Sequence, residues 1–230
     1  MKIGIIGAMS EEVVLLSEQL TDSEVWEEAG ATFYKGKINE HEVIVTLSGI
    51  GKVLAAVTAT LLISRYQVDV VINTGSAGGI GQQLKIGDLV ISDKVAYSDV
   101  DVTAFGYQYG QMAGMPLYYE ADTRLIEAAS QAARKNGQNI HVGLIVSGDT
   151  FVSSAEKIRL IKGHFPQALA NEMEGAAIAQ VAFRYQVPFV VIRAVSDVAD
   201  AGASVDFDTF IVEAGKKSAN MVMSLLKELA

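Results

Sequence analysis

The sequence contains no cysteine. That excludes a disulfide framework, a thiolate nucleophile and a cysteine metal site, and makes the reducing cytoplasm the expected location. Proline is scarce, with three in 230 residues, and no long linker, repeat or low-complexity segment interrupts the chain. One domain over residues 1–230 is therefore expected. The histidines His41, His141 and His164 stand far apart, so no His/Cys group has metal-ligand spacing, and no metal is expected. Positive charge is also short. The 18 Lys and Arg against 27 Asp and Glu leave a net charge of −9, which argues against nucleic acid and an anionic membrane surface as partners. No apolar run approaches the roughly 18 residues of a membrane span. The opening Met1-Lys2-Ile3-Gly4-Ile5-Ile6-Gly7 meets Glu11 and Glu12 too soon to read as a signal peptide.

Hydrophobic residues make up 50% of the chain, enough for a substantial core. Residues 2–7 read as a buried strand, followed by a helix from Glu11 to about Leu20 with Ser10 as its N-cap. Residues 31–38 and 41–48 read as a hairpin closed by Asn39-Glu40. Residues 51–66 predict a helix apolar on nearly every side, hence buried on both, serving as core or dimer contact. Residues 69–74 and 88–98 read as strands, the first ending in Gly75-Ser76-Ala77-Gly78-Gly79. Residues 102–119 have no period and read as a loop or an interface. Asp122 caps a helix through Asn136, stopped by Gly137. A strand at 141–147, a helix at 153–163, a strand–helix–strand unit at 169–200 and a last helix at about 208–229 complete the reading. Strands alternating with helices predict a mainly parallel sheet covered on both faces, with the ligand at the carboxyl ends of the strands.

Those ends carry acids. Glu12 falls in the first turn of its helix, where it is either an acid favoured by the helix dipole or a general base. Glu174 shares a helical stripe with Ile178, Val181 and Tyr185, so it points inward, toward either a salt bridge or sugar hydroxyls. Strand alternation puts Arg193 and Asp197 on one face, roughly 13 Å apart. Asp197 is then either a general acid or the N-cap of a following turn. Acids at the ends of buried strands point to a nucleoside. Gly4-x-x-Gly7 lacks the rest of a dinucleotide fingerprint, and no G-x-S-x-G elbow exists.

Seven stretches together resemble the bacterial 5′-methylthioadenosine/S-adenosylhomocysteine nucleosidases of the nucleoside phosphorylase superfamily. They are Gly4-Ile5-Ile6-Gly7-Ala8-Met9, Ser48-Gly49-Ile50-Gly51-Lys52, Asn73-Thr74-Gly75-Ser76-Ala77-Gly78-Gly79, Asp101-Val102-Thr103-Ala104-Phe105-Gly106-Tyr107, Val146-Ser147-Gly148-Asp149, Glu172-Met173-Glu174 and Val195-Ser196-Asp197-Val198-Ala199-Asp200. The resemblance spans nearly the whole chain. It implies a three-layer αβα sandwich around a mixed, partly barrel-like sheet, a homodimer, and hydrolysis of the N-glycosidic bond of thio-nucleosides with release of adenine, a reaction that requires no metal or organic cofactor. It implies that Asp197 protonates adenine N7 and Glu12 activates water, with Ser76 and Arg193 on the water side. Glu174 would hold the ribose hydroxyls, assisted by the Met173 backbone. Phe151 would stack on adenine, with the Val152 backbone reading its edge. Met9, Ile50, Met173 and Phe207 would wall the ribose and 5′ side, and Gly78, Glu172, Ser196 and Ala199 would complete the substrate site. Val102, Phe105, Tyr107 and Ala113 of the second subunit would close the pocket. Ala113 and Val152 depart from the Pro and Ile frequent in the family. The superfamily also contains phosphorylases. Glu11, Glu12 and the absence of Arg or Lys from residues 75–79 favour water over phosphate as the nucleophile. A purine nucleoside phosphorylase and a catalytically silent nucleoside-binding protein are the alternatives.

Overall fold

The computed structural model describes residues 1–198 and 203–229, with side chains described for 1–198 and 207–229. Its strands are β1 (Lys2–Gly7), β2 (Thr21–Glu28), β3 (Ala31–Ile38), β4 (His41–Leu47), β5 (Val70–Gly79), β6 (Leu89–Tyr97), β7 (Tyr119–Glu120), β8 (Ile140–Ser147), β9 (Ala170–Glu172) and β10 (Phe189–Asp197). Its helices are α1 (Ser10–Glu18), α2 (Lys52–Thr60), α3 (Thr123–Lys135), α4 (Ala155–His164), α5 (Gly175–Tyr185) and α6 (Ala203–Glu228).

β1 lies between β4 and β5, parallel to both. Both of its faces are covered, so Ile3, Ile5 and Ile6 form a nearly continuous apolar run rather than an alternation. Beyond β4 the sheet continues antiparallel through β3 and β2. β2 is absent from the sequence expectations. Its segment, Thr-Asp-Ser-Glu-Val-Trp-Glu-Glu, is a mostly exposed edge strand, and exposed edges carry charge instead of a buried apolar stripe.

On the other side of β1, β5 pairs with both β10 and β9, and β10–β6–β8–β9 completes the circuit. Five strands thus close a barrel inside the sheet. β5 and β10 are parallel, β6 is antiparallel to β10, and β9 is antiparallel to β5. The expected mainly parallel sheet is therefore mixed. The continuous apolar runs behind that expectation report burial on both sides, and barrel strands covered by helices are buried on both sides whatever their direction.

The helices form two outer layers. α6 packs on β5 and β10 beside α1 and α3, while α2 and α5 pack together on the opposite face. The N-cap of α1 is Met9 rather than Ser10, which makes Glu12 the third helical residue instead of the second. The helix expected at 51–66 continues past α2 as a π turn at Leu61–Arg65. It is not buried on both sides, because Val53 is 72% exposed and Leu54 and Val57 are exposed beside it. α6 begins earlier than Asp208. Between β6 and α3 the chain holds only a 3-10 turn at Thr103–Phe105 and β7, in keeping with the aperiodic sequence there.

Candidate active site

The β5–β9 register pairs Gly78 with Asn171 and Gly79 with Ala170. Continued past those pairs, it carries the chain after β9 back along β5 toward Gly75. On the other side of β5, Gly75 is the partner of Arg193 in β10. Glu172 and Glu174 are in this way delivered to one guanidinium.

Arg193 is 1% exposed. Its Nη2 donates to Glu172 Oε2, to Asn73 Oδ1 at 2.6 Å and to Glu174 Oε2 at 3.3 Å, and its Nη1 donates to Ser76 O at 3.2 Å. Glu172 is fully engaged by protein. Its Oε1 accepts from Ser147 Oγ and from Gly175 N at 3.0 Å, and its Oε2 from Glu174 N at 3.0 Å and Gly175 N at 2.8 Å besides Arg193. It braces the amides that open α5, where the helix dipole favours a negative charge. Glu174 is held less tightly. Its Oε1 accepts from Gly51 N at 2.9 Å. Burial pushes its carboxyl up to about 7, opposed by Arg193 and reinforced by Glu172.

Glu12 is 2% exposed and accepts four hydrogen bonds. Oε2 takes Ala8 N at 2.8 Å and Met9 N at 3.2 Å, and Oε1 takes Ser76 N at 3.0 Å and Ser76 Oγ at 3.2 Å. The bond from Met9 N is half of a capping box, so the sequence of the first helical turn itself folds Glu12 back toward β1. Gly75 makes room for both charges. A Cβ there would lie 2.5 Å from Glu12 Oε1 and 2.6 Å from Arg193 Nη1, and its φ of +151° favours glycine as well. The run Gly75-Ser76-Ala77-Gly78-Gly79, expected where the strand at 69–74 ends, lies within β5. Gly75→Ala is expected to lower turnover about 10²-fold, because a shift of about 1 Å at reacting groups has that effect. Steady-state kinetics on folded variant, verified by circular dichroism, checks this; unchanged turnover would mean the two side chains relax freely.

Asp197 is 1% exposed and accepts from Ser196 Oγ at 3.0 Å, a hydroxyl that also lies 3.4 Å from Ala77 O. The register of β10 on β5 shifts between Val195 and Asp197. The regular alternation that would put Arg193 and Asp197 on one strand face therefore breaks at Ser196, and the bulge re-aims Asp197. Both residues line one cavity of about 350 Å³.

That cavity also takes in Glu12, Ser76, Gly78, Glu172, Glu174 and Ser196, with Met9, Ile50, Phe151, Val152, Met173 and Phe207 forming its apolar parts. Phe151 and Phe207 meet edge to face, with centroids 5.6 Å apart. Ala199 lies outside the described residues. Val102, Phe105, Tyr107 and Ala113 do not line the cavity of their own chain. Phe105 is 81% exposed, and Tyr107 Oη accepts from Gly114 N at 3.2 Å. Ala8, Ala77 and Asn171 also line the cavity without having been singled out as site residues. Asn73, Ser147 and Gly51, which lie in the stretches that carry the resemblance without being expected site residues, bond to Arg193, Glu172 and Glu174 respectively. Asn73 and Ser147 had one legible signal, a polar residue inside an apolar strand, which needs a partner when buried. No group of three His, Cys, Asp or Glu among the described residues is arranged to hold a metal ion.

The sequence pattern of the Phosphorylase superfamily matches residues 2–227. A 5′-methylthioadenosine/S-adenosylhomocysteine nucleosidase of Staphylococcus carnosus is 49% identical over 227 residues, covering 99% of this chain and all of that protein. The crystal structure of the Streptococcus pyogenes S-adenosylhomocysteine nucleosidase with 5-methylthiotubericidin superposes with a TM-score of 0.98 at 48% identity, covering 100% of this chain and 98% of that one. The S. pneumoniae 5′-methylthioadenosine/S-adenosylhomocysteine nucleosidase with a transition-state inhibitor gives 0.97 at 50% identity, with both chains covered in full. With likeness of this extent over the entire length, the chain belongs to the phosphorylase superfamily and, within it, to the 5′-methylthioadenosine/S-adenosylhomocysteine nucleosidase family.

Proposed function

We propose that the protein hydrolyses the N-glycosidic bond of 5′-methylthioadenosine and S-adenosylhomocysteine, and of 5′-deoxyadenosine, releasing adenine. One observation carries the reading. A single cavity is lined by Glu12, Glu174 and Asp197 together with one cation, Arg193, which is itself paired with Glu172 and Glu174. Cleavage of such a bond develops positive charge on the sugar, as in glycoside hydrolysis, and an acidic cavity stabilises it. Asp197 delivers a proton to adenine N7, so that adenine leaves as a neutral base. Glu12 takes the proton of the attacking water, held in place by Ser76 and the amides of Ala8 and Met9. Glu174 accepts the ribose hydroxyls. Phe151 stacks on the base, and Met9, Ile50, Met173 and Phe207 enclose the ribose and the 5′ substituent.

The acidic lining also supports water over phosphate. A phosphate nucleophile needs free cations, and among the described lining residues Arg193 is the only Lys or Arg and is already committed to carboxylates. The deciding experiment measures adenine from the three nucleosides with and without phosphate. Phosphate-independent release of adenine and the free sugar is expected. Release that requires phosphate and yields a sugar 1-phosphate would make the protein a phosphorylase.

The position of Glu174 has a pH consequence. Burial pushes its carboxyl up to about 7, so lowering the pH through that value puts a proton on the group that holds the ribose hydroxyls. kcat/KM is therefore expected to rise with pH through about 7, and this acid limb is expected to vanish in Glu174→Gln. A limb that survives the substitution belongs to another group.

We infer further that the protein works as a homodimer in which Val102, Phe105, Tyr107 and Ala113 of one subunit cover the cavity of the other. The exposure of Phe105 and of the Val53–Leu54–Val57 face of α2 supports this, since apolar patches of this kind mark interaction surfaces. Sedimentation at twice the 24.5 kDa chain mass is expected, and an active monomer would contradict it.

A further inference from the structure

Antiparallel pairing of β6 with β10 runs through Arg193↔Val90 to Ala194↔Leu89. One step further the ladder ends in an asymmetric way. Val195 N donates to Asp88 O at 2.9 Å, but the return bond to Val195 O comes from Gly87 N at 2.8 Å. Asp88 N is turned away, to Lys85 O at 2.9 Å. Gly87 takes a φ of +87° to allow this. β10 therefore loses its β6 partner at Val195, and the next residue, Ser196, is the one left out of the β5–β10 register before Asp197. The turn of residues 85–88 fixes the last paired residue ahead of the bulge.

The Asp88 side chain holds that turn. Its Oδ2 accepts from Lys85 N at 3.0 Å and faces His141 Nε2 at 3.3 Å, while its Oδ1 accepts from Asn139 Nδ2 at 2.9 Å. Burial opposes a charge on this carboxyl, but the hydrogen bonds from Asn139, Lys85 N and His141 outweigh it and hold the group below the usual carboxylate range. Asp88, Asn139 and His141 do not line the cavity, and the chemistry above uses none of them. A buried carboxylate with donors on both oxygens is a rigid anchor, because removing it leaves buried donors unpaired.

We propose that Asp88, pinned by Asn139 and His141 at the start of β8, is a positioning residue for Asp197: it ends the β6–β10 ladder at Val195 and thereby sets the bulge that aims the Asp197 carboxyl at the leaving base. The proposal rests on the reading of Asp197 as the acid. A misaimed acid slows departure of a base that needs a proton and leaves departure of a good anion untouched.

The test compares 5′-methylthioadenosine with a 5′-methylthio aryl riboside that the wild-type protein cleaves and whose phenolate leaves unprotonated. Asp88→Ala is expected to lower kcat on the nucleoside about 10²-fold, with KM changed less than about threefold, and to leave kcat on the aryl riboside nearly unchanged. Asp197→Asn, run beside it, is expected to show the same selectivity with a larger loss. If Asp197→Asn shows this pattern but Asp88→Ala slows both substrates equally, or neither, the positioning role is overturned and the acid reading stands. If Asp197→Asn itself slows both substrates or neither, the acid reading falls and the proposal falls with it. Should Asp88→Ala yield no folded protein, the same comparison is made on His141→Ala, which removes one contact from a half-buried side chain. A nucleoside-selective loss of about threefold to tenfold is then expected, and its absence overturns the proposal.

Discussion

Asp197→Asn is expected to slow adenine release by about two to four orders of magnitude while leaving substrate affinity within a few-fold. The substitution is nearly isosteric. Asparagine keeps an oxygen that can accept from Ser196 Oγ, and it fills the same place in a site where the wild-type side chain is 1% exposed. What it loses is the transferable proton. Adenine expelled without one departs as an anion, and the barrier rises accordingly, whereas the contacts that bind ground-state substrate remain. The loss therefore belongs in kcat, and single-turnover measurement of adenine together with direct binding separates the two. A variant that turns over at near-normal rate would reduce Asp197 to a hydrogen-bonding residue of the β10 end.

Glu12→Gln is the second large effect, and it differs in kind. Both oxygens of Glu12 face donors, namely Ala8 N and Met9 N on one side and Ser76 N and Oγ on the other. A glutamine presents an NH₂ to one of those pairs, so the variant loses the base and also sets donor against donor in a buried place. A fall in turnover of about 10² to 10⁴-fold is expected, together with a stability loss of about 1–3 kcal/mol from unpaired buried groups. The stability loss accompanies a purely structural role too, so it decides nothing about catalysis. Glu12→Ala with added formate makes the distinction. A small carboxylate entering the vacated space is expected to restore part of the turnover if Glu12 acts as the base. Formate that raises thermal stability without restoring turnover would assign Glu12 to holding Ser76 and the first helical turn.

Much of the fold is legible along the chain because local rules act there. Asp122 accepts from Arg124 N and Leu125 N at the start of α3, and Gly137 adopts a φ of +61° at its end, both as capping chemistry predicts. The hairpin at Asn39-Glu40 follows from two apolar runs and a short turn. β2 was illegible for an equally physical reason. An exposed edge strand buries little, so it carries no periodic stripe to read. The site divides the same way. That Glu12, Glu174 and Asp197 stand at the ends of buried elements is visible in the sequence. That Arg193 spends its guanidinium on Glu172, Glu174 and Asn73 is not, because partners about 20 or more residues apart meet only through sheet pairing.

The sequence by itself determined most of the segments that become strands and helices, β2 and β7 excepted, and that acids sit at the ends of the buried ones. It did so through periodicity, capping and charge, which are properties of neighbours along the chain. Tertiary structure alone decided the direction of β6, β8 and β9, the closure of β9 onto β5, the bulge at Ser196 and the need for glycine at position 75. A strand buried on both faces has the same composition whether its neighbour runs parallel or antiparallel. Its direction, register and bulges are settled by long-range pairing. Those pairings turn acids scattered over 186 positions, from Glu12 to Asp197, into the lining of one cavity.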